Sequence, residues 1–149
     1  MSSDAPAGLI LIVVGSSLRA ERMDRPLAYY LKQQIESVLA DRIEDEENRP
    51  EVLVVADFRR LNDEDLHDAP TISVGGPGVN ALAHQWLQEL PLSLAVDDQF
   101  YIQMDPELDE LQASVWGMTN ETTQIAVSAF LGRFLPRFLD AVDRRNIDD

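Results

Sequence analysis

The stretch Ile72–Leu87, ISVGGPGVNALAHQWL, passes from an apolar run into a helical pattern through three glycines and a proline. Glycine is costly to order, so Gly75, Gly76 and Gly78 around Pro77 imply unusual dihedrals or a close approach of backbone. A strand, a glycine-rich turn and a helix in immediate succession are the repeating unit of an α/β sheet.

Upstream, GLILIVVGSS (8–17) is a continuous apolar run ending in Gly-Ser-Ser, the pattern of a strand buried on both faces. The segment 24–47 follows with Leu27, Tyr30, Leu31, Ile35, Val38, Leu39 and Ile43 at helical spacing. Asp24 reads as its N-cap, with Pro26 in the first turn, where a missing N–H does no harm. EVLVVADF (51–58) reads as a second buried strand, and RRLNDEDLHDAP leaves room for at most one helical turn before a third strand at 71–76. A helix is expected over 80–90, ended by Pro91.

Downstream the pattern loosens. LSLAV (92–96) has strand character, and QFYIQM (99–104) and LQASVWG (111–117) suit a hairpin on the sheet edge. The segment 119–145 reads as one long helix, kinked at Pro136. Its Phe130, Phe134 and Phe138 stripe is buried or, alternatively, forms a homodimer contact. Residues 1–7 and 144–149 read as flexible tails. Together these segments predict one α/β domain of three αβα layers, Rossmann- or flavodoxin-like, with a mostly parallel sheet and an edge hairpin near 92–117.

Composition narrows the partners. The 149 residues carry 27 acids against 12 bases, a net charge of −15, with Lys32 the single lysine. Such a field disfavours nucleic acid and anionic membrane surfaces. No cysteine is present, which excludes disulfides and thiol chemistry. The run 9–14 is too short to span a membrane and lacks a basic flank, so a soluble, cytoplasmic protein is the expectation.

In open α/β sheets, ligands bind beyond the carboxyl ends of the strands. That rim would gather Ser16, Ser17 and Arg19 after the first strand, and Asp57 and Arg59 after the second. After the third come Gly75, Gly76, Gly78 and Asn80; after the last, Gly117, Thr119, Asn120, Thr122 and Thr123. Small residues there let backbone N–H groups and helix N-termini face an anion. Each also has a plainer role: Gly75–Gly78 as a tight turn, Asn80 and Asn120 as helix caps, Asp57 in a salt bridge. GxGxxG, GxxxxGK[ST] and GxSxG are absent. His67 among acids does not make a metal site by spacing alone.

The stretch VVGSSLRAERMDRPLAYYL (13–31), through Gly15, Ser16, Leu18, Arg19, Arg25, Leu27 and Ala28, resembles the first loop of the NADPH-dependent FMN reductase group. That resemblance implies a flavodoxin-like fold with a flavin phosphate held in the loop. The serine usual after the arginine is missing, and an extra residue follows Gly-Ser. The stretch is also similar in outline to hydrogenase maturation proteases, which keep an acidic metal ligand near the position of Glu21. There Ser16 stands in place of the usual Asn and Arg25 in place of a Gly.

The expected function is therefore a small nucleotide-like or phosphorylated ligand bound at the rim, with Asp57 as its base or hydroxyl contact. A flavin-binding redox module holding FMN on Ser16 and Ser17 is one alternative. A non-catalytic acidic interaction domain is the other.

Overall fold

The structure is a computed structural model and describes residues 8–148; the expected tail at 1–7 lies outside them. Strand β1 (Leu9–Val14) leads into α1 (Leu18–Arg42), then β2 (Glu51–Ala56), α2 (Asp57–Asn62), β3 (Thr71–Val74) and α3 (Ala81–Trp86). Three consecutive strands follow, β4 (Leu92–Val96), β5 (Phe100–Met104) and β6 (Gln112–Gly117), and then α4 (Asn120–Arg133) and α5 (Leu135–Asp148). The sheet order is β2-β1-β3-β6-β5-β4. β1 is central to the parallel half, and its apolar run from Ile10 to Val14 is fully buried, as a strand covered on both faces must be.

The Rossmann- or flavodoxin-like expectation is not met. The sheet is mixed: β2, β1, β3 and β6 pair in parallel, but β5 runs antiparallel to both β6 and β4. The expected edge hairpin is a three-stranded meander that forms the C-terminal half of the sheet, and β6 lies inside, against β3. The physical reason lies in two connections. Helix α3 has six residues and carries the chain past β3's neighbouring position to the far edge. Asp97 and Asp98, with φ of 51° and 58°, then turn it sharply back into β5. Aspartate is among the few non-glycine residues that visit this left-handed region readily.

The two faces are unequally covered. One carries α1, α4 and α5 over a large core that includes Ile12, Ile72, Ile102, Phe130 and Phe138. The other carries the short α2 and α3 over Leu11, Val13, Val55, Leu82 and Trp86. Helix boundaries also differ from expectation, beginning with α3, which ends at Trp86 rather than at Leu90. Ser17, not Asp24, caps α1, accepting from the Ala20 N–H at 3.2 Å, so Pro26 falls inside the helix. Tyr30 is 45% exposed, and the inward stripe runs instead through Ala20, Asp24, Ala28, Leu31, Ile35 and Leu39. The expected long C-terminal helix is two, broken at Phe134, where φ and ψ leave the helical basin; Pro136 then sits in the first turn of α5. Residues 144–148, expected as tail, belong to that helix.

Candidate functional site

The C-terminal ends of β1, β2, β3 and β6 share one edge of the sheet. Two arrangements of polar residues occupy it. The first is a closed knot at the β1–β2–β3 end. Ser16 Oγ donates to Asp57 Oδ1 at 3.0 Å, the Phe58 N–H donates to the same oxygen at 2.7 Å, and the Ala81 N–H donates to Oδ2 at 2.8 Å. Asp57 thus opens α2 while binding the first N–H of α3 and the loop after β1. Asn80 completes the knot. Its Oδ1 accepts from the N–H groups of Leu82 and Ala83, and its Nδ2 donates to the carbonyls of Val13 and Val74. Both side chains are buried and hold three strand ends in register.

Beside the knot, between the β3–α3 loop and the β6–α4 connection, lies a cavity of about 260 Å³. Arg19, Gly76, Gly78 and Asn120 line it, together with Met23, Asp24, Trp116 and Met118. The glycines have distinct reasons. Gly75 sits at φ +108°, and a Cβ there would come within 2.5 Å of Asp24 Oδ2. Gly76 lies against the Trp116 ring, where a Cβ would reach Cε3 at 3.3 Å. Gly78 faces open space. Gly15 is required from outside the cavity, because a Cβ would overlap the Val79 carbonyl.

Asp24 is the unusual member. It occupies a position of the inward α1 stripe that an apolar residue would ordinarily fill, and it is only 6% exposed. Among the described residues its carboxylate makes no hydrogen bond, and Arg19 is its electrostatic neighbour. Burial pushes its carboxyl up to about 6, with the Arg19 guanidinium partly opposing the rise. Asn120, the first residue of α4, contributes a second unmet group, since its Oδ1 is buried without a partner. Buried polar atoms are nearly always paired, so the unpartnered Asn120 Oδ1, sharing a cavity with a carboxylate that makes no hydrogen bond, is a notable departure.

Compared with protein-family models and with curated proteins, the chain matches none.

The expected site residues therefore divide. Arg19, Gly76, Gly78 and Asn120 meet in the cavity, and Gly75 lies beneath it against Asp24. Ser16, Asp57 and Asn80 are bonded to one another's elements in the knot, and Ser17 caps α1. Thr122 closes the α4 capping box with Thr119. Arg59 lies elsewhere, with Phe58, Asn62 and Asp63 in a shallow surface hollow. Glu21 is ion-paired with Arg25 at 3.0 Å. Among the described residues no group of three His, Asp or Glu side chains is placed to hold a metal, and no helix is long and apolar enough to cross a membrane.

Sequence reading missed Asp24, Met23 and Trp116 as site residues. For Asp24 a signal existed: Ala20, Asp24, Ala28 and Leu31 follow helical spacing, so a helix starting at Ser17 puts a carboxylate on its inward face. The proline at 26 masked it by suggesting a later start.

Proposed function

We propose that the cavity between the β3–α3 loop and the start of α4 binds a small nucleotide-like molecule. The observation that carries this reading is Asp24, a buried carboxylate without a hydrogen-bond partner that opens into a lined cavity. A buried, unpaired ionisable group destabilises the fold and is found where a site needs it. Trp116 offers a flat apolar surface for a ring, and Arg19, exposed at the mouth, suits a phosphate carried outside. The volume fits a base or nucleoside better than a dinucleotide, since whole-ligand pockets run from roughly 300 Å³ upward. No reaction is assigned. A flavin phosphate on Ser16 and Ser17 would have to displace the Asp57 bond and the α1 cap, and no observation favours it.

The test is amide NMR of the intact protein against a panel of nucleosides, nucleotides, NAD(P), FMN, sugar phosphates and divalent metals. Saturable shifts at residues 76–79 and 116–120 support the reading. Shifts confined to other regions, or none, contradict it.

A second reading concerns partners and rests on β4. It is an edge strand without a charged residue, and its Leu92 and Val96 are 55% and 41% exposed. Unguarded apolar edges pair with other strands, so we propose a homodimer through antiparallel β4–β4 contact. Sedimentation velocity should show a concentration-dependent dimer that Ala95→Lys abolishes; a monomer up to millimolar concentration contradicts it.

A further inference from the structure

The cavity's unmet groups specify more than its size. Thr123 Oγ1 is bonded to the Gly117 N–H and the Thr119 carbonyl, and the Thr119 and Thr122 hydroxyls bond to each other. These hydroxyls are therefore engaged, and the inward groups left over are the Asp24 carboxylate and the Asn120 amide. An ionised carboxylate only accepts hydrogen bonds, and it binds most strongly to two parallel N–H donors. The amide can present either end by a half turn.

Among the described residues no protein donor fills this role. Arg19, on Asp24's own helix, is exposed and makes no hydrogen bond to Asp24 among the described residues. The rest of the lining is flat or soft: the Trp116 ring backed by Tyr101 at 4.5 Å between centroids, and the Met23 and Met118 thioethers. A phosphate group inside would meet a carboxylate within a chain of net charge −15, so an anion belongs at the mouth.

Resting on the reading above, we propose that the cavity selects a flat heteroaromatic ring presenting two adjacent N–H donors, the edge carried by guanine. Asp24 accepts that donor pair, Trp116 stacks on the ring, and Asn120 contacts a further polar atom. Adenine, with one exocyclic amine beside a ring acceptor, leaves one carboxylate oxygen unmatched, and hypoxanthine lacks the second donor. A site built for a donor pair rejects an analogue that leaves buried atoms unpaired. Binding also follows Asp24's ionisation, so affinity falls below about pH 6. Arg19 is the charged group facing Asp24 from α1. Residues 75–79 and 116–120 bring no titratable side chain, and Glu121 is exposed one residue farther into α4.

Guanosine, inosine and adenosine are titrated into the intact labelled protein at pH 7.5, with guanosine repeated at pH 5. Asp24→Asn and Gly78→Phe are run alongside, the latter placing a bulky ring on the cavity lining at a position where a Cβ meets open space. Guanosine should bind at least about tenfold tighter than inosine or adenosine, and weaken at pH 5. Asp24→Asn should lose at least about tenfold for guanosine while unfolding cooperatively, and Gly78→Phe should abolish all shifts. Equal affinities for the three, or an unchanged Asp24→Asn, overturn the donor-pair selection while shifts at 76–79 and 116–120 keep the cavity as a binding site. Failure of every probe to move those amides, in a panel that also leaves the nucleotides silent, overturns both.

Discussion

Two ends of the same rim treat polar residues in opposite ways. At the β1–β2–β3 end, Ser16, Asp57 and Asn80 bond to one another's elements, with both Asp57 oxygens and both ends of the Asn80 amide engaged. At the β3–β6 end, the buried Asp24 makes no hydrogen bond among the described residues and Asn120 Oδ1 is buried without a partner, both beside a cavity. A polar side chain at a strand end thus carries no fixed meaning. Where its partners are internal it is architecture, and where they are missing it is the feature on which the proposed binding site rests.

The contrast predicts opposite signs for substitutions on the same rim. The largest effect belongs to the closed end. Asn80→Ala removes a double cap and strands two carbonyls, so a loss of about 3 kcal/mol in denaturant unfolding is expected. A loss under about 1 kcal/mol would erase the distinction between the ends. At the open end, Asp24→Asn should stabilise. A carboxyl raised from its ordinary 3.8 to about 6 is easier to protonate in the native state, so stability is lost as pH rises through that window and stays lost above it. The variant's advantage should be near zero below pH 4 and on the order of 2 kcal/mol above pH 6.5, as read from unfolding midpoints across pH.

The boundary between the ends gives a third, intermediate case. Gly75→Ala forces a Cβ against Asp24 Oδ2 at a positive φ and should cost about 1–2 kcal/mol. Combined with Asp24→Ala, which clears the clash, the cost should shrink to that of the backbone strain alone. Additivity in this double-mutant cycle would mean that Gly75 does not make room for the carboxylate. The smallest effect is expected at Gly78, which faces open space: Gly78→Ala should change stability by less than about 1 kcal/mol in either direction.

The same contrast explains what the sequence could and could not disclose. The β1 run, the body of α1 and the glycine joint were legible because burial on both faces and helical spacing are written in residue order. The meander was not. Whether β4 pairs beside β3 or crosses to the far edge depends on how far six residues of α3 reach and on the handedness of the Asp97–Asp98 turn. Sequence placed Asp57 and Asn80 on the rim but could not reveal that Ser16, Ala81, Val13 and Val74 would use up their hydrogen bonds, because those partners come from distant segments. Asp24 was legible in principle from the stripe Ala20, Asp24, Ala28 and Leu31. It was read instead as a helix start, since an aspartate shortly before a proline is the commoner sign of one.

The claim that unifies the site is that Asp24 is a buried carboxylate with no internal partner. Its titration can be followed directly through the side-chain carboxyl ¹³C shift in labelled protein, with Asp24→Asn identifying the resonance. A midpoint near 6, falling when guanosine is added, is the result expected of an unpaired group that a ligand completes. A midpoint at or below the ordinary value near 3.8 would mean that Asp24 is solvated or already paired, and the cavity would lose the feature that makes it a site.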